Sequence, residues 1–157
     1  MEFLRLARRL AGLGVPLILN DRVHLVTEAG AMGVHLGEDD LPPEEAREIL
    51  GPGRILGLST HDREEVAAAD GRGADYVGLG PMFPTGTKEL TRRPGGPGLL
   101  RSVRGATVLP VFPVGGITAA NLPSLVEAGA TRAAVSSAIC AAADPRAAAL
   151  RFSSLLR

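Results

Sequence analysis

Short apolar runs alternate with longer amphipathic stretches along the whole chain. Each run is too short for a helix and fits a strand that is buried on both faces. Three runs are Val15–Leu19, Ile55–Ser59 and Val108–Val114, and three more close the segments Glu28–Gly37, Gly71–Gly80 and Glu127–Ser136. The helical stretches are Glu2–Leu13, Val23–Ala29, Pro43–Leu50, Arg63–Asp70, Ala119–Ala128 and Pro145–Leu156. This alternation predicts an α/β fold with parallel strands.

The three closing segments repeat one layout, in which a helical pattern stops at a Gly-Ala pair and an apolar run follows. Gly30, Gly73 and Gly129 fit the position after a helix where a left-handed backbone is needed. No linker divides the 157 residues, so we expect a single domain over residues 1–157. The longest loop signal is Arg92–Gly98, which is rich in Pro and Gly.

Composition excludes several classes of protein. Basic and acidic residues number 17 each and aromatic residues are 3% of the chain, so neither nucleic acid nor an anionic membrane is an expected partner. Cys140 is the single cysteine, which excludes an intramolecular disulfide. No apolar run has transmembrane length, and the N-terminus lacks the signature of a secretory signal. These features predict a cytoplasmic protein.

Two parallel-sheet architectures compete, a doubly wound open sheet and a (β/α) barrel. Polar and Gly-rich residues follow every predicted strand, which is how a TIM-type barrel builds its site. A doubly wound sheet would concentrate its site at one switch point, and no GxGxxG follows the first strand. The pattern favours a TIM-type (β/α) barrel. Because an eight-unit barrel seldom has fewer than ~200 residues, we expect an incomplete one with about six βα units.

Lys88 is the only lysine in a chain with 17 basic side chains. Thr85 and Thr87 lie close to it, and Gly80 and Gly86 open the backbone nearby. An ammonium group, hydroxyls and backbone N–H groups are typical of a phosphate or pyrophosphate site. The alternative is a surface lysine without a role.

Asp21 and Asp40 both follow predicted strands and are candidate ligands for Mg²⁺, which prefers oxygen ligands. Asp21 could equally cap the next helix. Ser59 and His61 lie just past another strand, where His61 is a candidate general acid or base. His61 could instead belong only to the start of the following helix. His35 is not a strong candidate and is expected to be a strand residue that faces either the helix layer or the barrel.

The last two strand ends predict a second phosphate site. Gly115 and Gly116 free backbone N–H groups near a helix start, and Ser136 and Ser137 follow the last strand. Barrels often bind phosphate at this place. The alternative is a glycine pair required for packing, with serines that cap helices.

Several motifs in register carry a resemblance to a known family. They are Leu19-Asn-Asp-Arg22, Gly33-Val-His-Leu-Gly37, Gly57-Leu-Ser-Thr-His61, Ala74–Pro81, Thr85-Gly-Thr-Lys88, Gly115-Gly-Ile-Thr118 and Ser136-Ser-Ala-Ile139. The chain resembles the thiamine phosphate synthase and thiazole tautomerase superfamily, and is most similar to the synthases. The resemblance implies a (β/α)₈ barrel whose first two strands, with a Gln-x-Arg-x-Lys motif on the second, are not found here. Open strand edges then predict a homo-oligomer.

The resemblance also implies a reaction and a site. A synthase joins a thiazole phosphate to an aminopyrimidine methyl pyrophosphate and releases pyrophosphate. Mg²⁺ would bind Asp21 and Asp40, with Asn20 and Lys88 on the pyrimidine and pyrophosphate side and Ser59 near the reacting centre. The thiazole phosphate would contact Thr85, Thr87, Gly115, Gly116, Ser136 and Ser137. The alternatives are a tautomerase in which His61 moves protons, and a phosphate-binding remnant without catalysis.

Overall fold

The computed structural model describes residues 2–86 and 92–157. The strands are β1 (Ile18–Asn20), β2 (Gly33–Leu36), β3 (Ile55–Thr60), β4 (Tyr76–Leu79) and β5 (Val111–Pro113). The helices are α1 (Glu2–Ala11), a 3-10 turn (Val23–Leu25) that continues into α2 (Val26–Ala29), α3 (Pro43–Leu50), α4 (Arg63–Ala68), α5 (Gly96–Ser102), α6 (Leu122–Glu127), α7 (Ser137–Cys140) and α8 (Pro145–Leu155).

The strands form one five-stranded sheet in the order β1-β2-β3-β4-β5. The pairs β1–β2 and β2–β3 are parallel, with Leu19 opposite Val34 and Val34 opposite Leu56. Helices separate consecutive strands, so the prediction of an α/β fold with parallel strands is confirmed. A doubly wound sheet reverses its strand order at a switch point, and the order of these five strands never reverses.

Two local predictions were wrong. The sixth apolar run contributes a single parallel bridge, from Val114 to Ala134, rather than a strand. The predicted loop Arg92–Gly98 already contains the start of α5 at Gly96. Pro97 explains this start, because a proline in the first turn of a helix needs no N–H partner there.

The described chain divides into two compact units. The first consists of the residues up to Ser59 together with Ala68–Val77, and the second of Thr60–Ala67 and the chain from Gly78 onward. The prediction of one domain over residues 1–157 stays a prediction. Among the described residues no helix is long and apolar enough to cross a membrane.

Each unit has its own buried apolar side chains. In the first unit they include Leu19, Val26, Val34, Leu36 and Leu56. In the second unit they include Leu79, Met82, Leu122, Leu125 and Phe152. The strand residues among them are buried from both faces of the sheet, as the continuous apolar runs of the sequence predict.

The glycines of the three repeated segments adopt the backbone that was expected of them. Their φ angles are 67° at Gly30, 80° at Gly73 and 102° at Gly129. Gly30 ends α2, and its N–H donates to the carbonyl oxygens of Thr27 and Val26. A side chain would strain this backbone, so each Gly-Ala pair does mark the end of a helical stretch, and the first two pairs lead into β2 and β4.

Arg47 forms hydrogen bonds to three other residues of the first unit. Its guanidinium donates to the carbonyl oxygens of Arg54 and Gly73 and to Asp75 Oδ2, the last at 2.8 Å. The same carboxylate oxygen accepts from the N–H of Leu56 on β3, also at 2.8 Å. The Arg47 side chain is only 29% exposed, so these are partly desolvated, charge-assisted bonds.

We expect Arg47→Ala to lower the free energy of unfolding by about 1.5–3 kcal/mol, because it removes charge-assisted bonds from two carbonyl groups and a carboxylate. The matched control is Arg72→Ala, whose ion pair with Glu44 is 51% and 61% exposed on its two sides. That variant should lose less than ~1 kcal/mol. Denaturant unfolding of both variants measures the difference, and equal losses would contradict this role of Arg47.

Candidate functional site

Asp21 directly follows β1 and has a left-handed backbone, with φ 63°. It is the one residue other than glycine with a positive φ in the described chain, and aspartate tolerates this conformation better than most residues. Its N–H donates to the carbonyl of His35 on β2 at 2.9 Å. The next helical turn has Arg22, not Asp21, at its N-cap. The structure therefore does not support the capping alternative, and such a strained position is typical of functional sites.

Asp40 differs from the acidic residues beside it. Its Oδ2 accepts a hydrogen bond from the N–H of Gly37 at 2.7 Å, which closes the loop after β2. Asp40 is half-buried, while Glu38 and Asp39 are exposed. The hydrogen bond fixes the orientation of this carboxylate, and the other oxygen retains its capacity to accept. Asp40 is thus an oriented candidate ligand.

The carboxylates of the first unit fit Mg²⁺ only if water and substrate phosphates complete its set of ligands. Within residues 2–86 and 92–157, no group of three or more His, Cys, Asp or Glu side chains could hold a metal ion. Mg²⁺ commonly uses one or two carboxylates and completes its shell with water and substrate phosphates. Asp21 and Asp40 supply oxygen ligands of that kind, and Asn20 is the exposed last residue of β1.

Ser59 lies at the end of a hydrogen-bonded series of side chains. Its Oγ is 3.0 Å from Nε2 of His35, and Nδ1 of the same imidazole is 2.9 Å from the hydroxyl of Tyr76. The three residues belong to β3, β2 and β4, respectively. Burial raises the pKa of Tyr76 to about 12, so the phenol is neutral throughout the physiological range.

Sequence reasoning missed His35 and Tyr76. The sequence predicts His35 only as a strand residue that faces the helix layer or the barrel, and it assigns no role to Tyr76. Gly57 carried the signal, because a glycine inside a buried strand often marks a close approach. Gly57 pairs with His35 across β2 and β3, and a Cβ at position 57 would overlap the ring of Tyr76.

His61 serves both as a residue of the α4 start and as an oriented imidazole. Its N–H donates to Glu65 Oε2 at 2.7 Å, while the N–H of Glu65 donates to Asp62 Oδ1 at 2.8 Å, an arrangement similar to a capping box. Its Nδ1 is 2.6 Å from the carbonyl oxygen of Gly80. A carbonyl can only accept, so Nδ1 carries the proton and Nε2 of the neutral ring is the acceptor.

The glycine pair after β5 lies against the chain that follows β4. The N–H groups of Met82 and Phe83 donate to the carbonyls of Val114 and Gly115 at 2.9 and 3.0 Å. A Cβ at Gly116 would overlap the carbonyl oxygens of Phe83 and Pro84. The packing requirement named for this pair is therefore real, and it brings the pair close to the segment that leads into Thr85.

Ser136 and Ser137 begin the short helix α7. Ser136 occupies the N-cap, but its side chain makes no capping hydrogen bond within the described part of the chain. The parallel bridge from Val114 to Ala134 sets the register of the two segments. Gly115 directly follows Val114, and Ser136 follows Ala134 by two residues, so both lie a short distance along the chain from the bridge.

Lys88 and Thr87 lie outside the described residues, so their predicted roles stay predictions. Thr85 is half-buried at the edge of the described segment. In the first unit Asp21, which follows β1, and Ser59, which lies on β3, both contact His35 on β2. In the second unit it brings Gly115 and Gly116 against the loop that leads to Thr85.

The fold and these residues define an α/β protein whose candidate site is built from residues that follow the strands. The chain belongs to the thiamine monophosphate synthase family, whose sequence model matches residues 2–139. This confirms the resemblance that the motifs indicate.

Individual relatives agree with this assignment. The thiamine-phosphate synthase of Geobacillus kaustophilus is 46% identical over 157 residues, which is 97% of this chain and 71% of that protein. The enzyme of the same name from Vibrio parahaemolyticus is 44% identical, over 94% of this chain and 72% of its own length. The solved thiamine phosphate pyrophosphorylase of Pyrococcus furiosus has a TM-score of 0.89 at 33% identity, covering 99% of this chain and 76% of that one.

The raised pKa of Tyr76 can be tested directly, because the chain has one tyrosine and no tryptophan. We expect phenolate absorbance to appear with a midpoint near pH 12 in the folded protein and near ~10 in denaturant. The unfolded chain then releases its proton first, so stability falls as the pH rises from about 10 towards 12. Tyr76→Phe removes this contribution and is the control. A folded midpoint near ~10 would contradict the burial effect.

Proposed function

We propose that this chain catalyses the synthase reaction, joining a thiazole phosphate to an aminopyrimidine methyl pyrophosphate with release of pyrophosphate. The observation that carries the proposal is the match to proteins named thiamine-phosphate synthase, at 44–46% identity over 94–97% of the chain. The residues that the resemblance assigns to this reaction are present in order, from Asn20 to Ser137. The single cysteine and the phosphorylated substrates favour a cytoplasmic location.

The pyrophosphate end of the reaction is assigned to Asp21, Asp40, Asn20 and Lys88. The two aspartates would hold Mg²⁺, which neutralises charge that develops on a departing pyrophosphate. The hydrogen bond from the N–H of Gly37 orients the Asp40 carboxylate before substrate binds, and Asp21 has a left-handed backbone of the kind found at functional sites. Lys88 would add a point charge to the same leaving group, a largely electrostatic contribution.

The thiazole phosphate is assigned to the glycine pair and the hydroxyl residues of the second unit. The supporting observations are the close packing of Gly116 on Phe83 and Pro84 and the uncommitted capping position of Ser136. Backbone N–H groups beside glycines suit an anion because no side chain shields them. Thr85 and Thr87 complete the assigned set of phosphate contacts.

We further propose that the sheet belongs to a TIM-type (β/α) barrel with about six βα units, as the sequence predicts. The sequential strand order is the supporting feature, since each strand adds beside the one before it. The functional residues also follow the carboxyl ends of the strands, where barrel enzymes place their sites.

A tautomerase remains the second candidate because of one observation. The bond from His61 Nδ1–H to the carbonyl of Gly80 leaves Nε2 as the acceptor, which is the state that a proton-shuttling histidine needs. The synthase reaction assigns no such proton transfer to His61. His61→Gln should therefore leave synthase turnover within about threefold and abolish any tautomerase turnover.

The deciding experiment incubates the purified chain with both synthase substrates and Mg²⁺ and measures thiamine phosphate. We expect Lys88→Ala to weaken pyrophosphate binding by about tenfold to a hundredfold, since a charge-assisted contact is worth about 1.5–3 kcal/mol. Lys88→Arg should restore this only in part, because a planar guanidinium is not a point charge. Arg146→Ala, an exposed cation on α8, is the control and should bind as the wild type does.

The result separates the candidate functions. Product formation that is lost in Asp21→Asn, Asp40→Asn supports the synthase with Mg²⁺ on these residues. Pyrophosphate binding without product favours the phosphate-binding remnant. Equal binding by Lys88→Ala and the wild type would overturn the role of the lysine.

The phosphate site of the second unit has its own test. In an NMR titration with inorganic phosphate, we expect shifts at the amides of Gly115, Gly116, Ser136 and Ser137. Ser136→Ala should weaken this binding by about threefold to tenfold, the equivalent of one neutral hydrogen bond. Ser153→Ala, which changes an exposed serine on α8, is the control. No shift at these amides up to high millimolar phosphate would contradict the site.

A further inference from the structure

The hydrogen-bonded series Tyr76–His35–Ser59 has a direction of proton donation, and the chemical types of its groups determine that direction. The two hydrogen bonds share one imidazole, at 2.9 Å from the phenol and 3.0 Å from the serine hydroxyl. A neutral imidazole donates from one nitrogen and accepts at the other. Two orders of protons are therefore available, one with the phenol donating and one with the serine donating.

The chemistry of the two hydroxyls distinguishes these orders. A phenol is the more acidic group, with a pKa of about 10 in water, so it is a stronger donor and a weaker acceptor than the aliphatic hydroxyl of serine. The favourable order has the Tyr76 hydroxyl donating to Nδ1 and the Nε2–H of His35 donating to Ser59 Oγ. Burial keeps the phenol protonated, since it raises the pKa of Tyr76 to about 12. The Tyr76 hydroxyl, which is the first donor of the series, is therefore protonated at every physiological pH.

The backbone of β3 holds the phenol in this place. Gly57 pairs with His35 in the sheet, and a Cβ at Gly57 would overlap ring atoms and the hydroxyl of Tyr76. The two rings lie 5.5 Å apart between centroids and are tilted by 31°. The missing side chain thus creates the space in which the phenol reaches the imidazole.

We infer that Tyr76 and His35 are positioning residues that make Ser59 a hydrogen-bond donor to the substrate. With Oγ accepting from His35, the serine proton points away from the imidazole and is directed to an acceptor atom of the ligand. In this order the Nε2 lone pair does not exist, so His35 cannot take a proton from Ser59 and the serine is not a nucleophile. The substrate end of this inference rests on the proposed synthase function, while the proton order does not.

The proton order is tested on the protein alone by NMR of ¹⁵N-labelled histidine. The chain has three histidines, and His35→Gln assigns the signals of His35. We expect the wild type to show a protonated Nε2 and an unprotonated Nδ1 at neutral pH. A protonated Nδ1, or an equal mixture of both tautomers, would overturn the inference.

Variants identify which neighbour sets this order. Tyr76→Phe should convert His35 to a tautomer mixture or to the Nδ1–H form, because the donor to Nδ1 is gone. Gly57→Ala should do the same by displacing the intact phenol. Ser59→Ala should leave the Nε2–H form in place, and it remains informative if the other two variants do not fold. Loss of the Nε2–H form in Ser59→Ala would mean that the serine, not the tyrosine, sets the order.

Kinetics test the connection to substrate. We expect Tyr76→Phe and Ser59→Ala each to lower kcat/KM by about tenfold, the equivalent of one neutral hydrogen bond. Because both changes remove the same oriented donor, the double variant should lose little more than either single variant. Fully additive losses would overturn the positioning role. If the wild type makes no thiamine phosphate, the proposed function fails, whereas the ¹⁵N result still decides the proton order.

Discussion

Close approach to glycine backbone is the constraint on which the rest of this structure depends. At four positions along the sheet a Cβ would overlap a neighbour: Gly33 against Ile55, Gly57 against Tyr76, Gly80 against Val114, and Gly116 against Phe83 and Pro84. The overlapped atoms are mostly backbone, which cannot move aside as a flexible side chain can. Gly33 and Gly57 have φ values that other residues adopt, so space rather than conformation requires glycine there.

This constraint has a chemical consequence at strand ends. Because glycine has no side chain, a polar group of the neighbouring segment can occupy the space that a Cβ would fill and can contact the sheet. At Gly57 that group is a phenol, which then reaches His35. At Gly116 it is the loop that leads into Thr85, held by hydrogen bonds to the carbonyls of Val114 and Gly115. Glycine backbone therefore provides the close approach both beside Ser59 and at the loop that leads into Thr85.

Local sequence signals were sufficient for most of the fold. The predicted helix Pro43–Leu50 has the observed bounds, and Gly30, Gly73 and Gly129 have left-handed backbones as predicted. These features depend on a few neighbouring residues, which a sequence pattern contains. The sixth run failed because pairing, not hydrophobicity, makes a strand, and Ala134 forms only one bridge.

The candidate site was less predictable, because its contacts join residues that are distant in the chain. His35 and Tyr76 are 41 positions apart and His35 and Ser59 are 24 apart, so no periodicity relates them. The sequence correctly placed Asp21 directly after a strand and Asp40 in the loop after the next one, whereas Ser59, expected just past a strand, lies within β3. The sequence pattern could not reveal which polar residue inside a strand would form hydrogen bonds to side chains of other strands.

The two oriented histidines illustrate what decides chemistry once residue types are known. Both imidazoles are anchored through Nδ1, His61 by the carbonyl of Gly80 and His35 by the hydroxyl of Tyr76. A carbonyl can only accept, so His61 has an Nδ1 proton and an accepting Nε2. A phenol can donate, and in the proton order that we infer His35 has the opposite tautomer and a donating Nε2. The sequence contains two similar histidines near strands, and the partner at Nδ1 makes one a potential base and the other a support for Ser59.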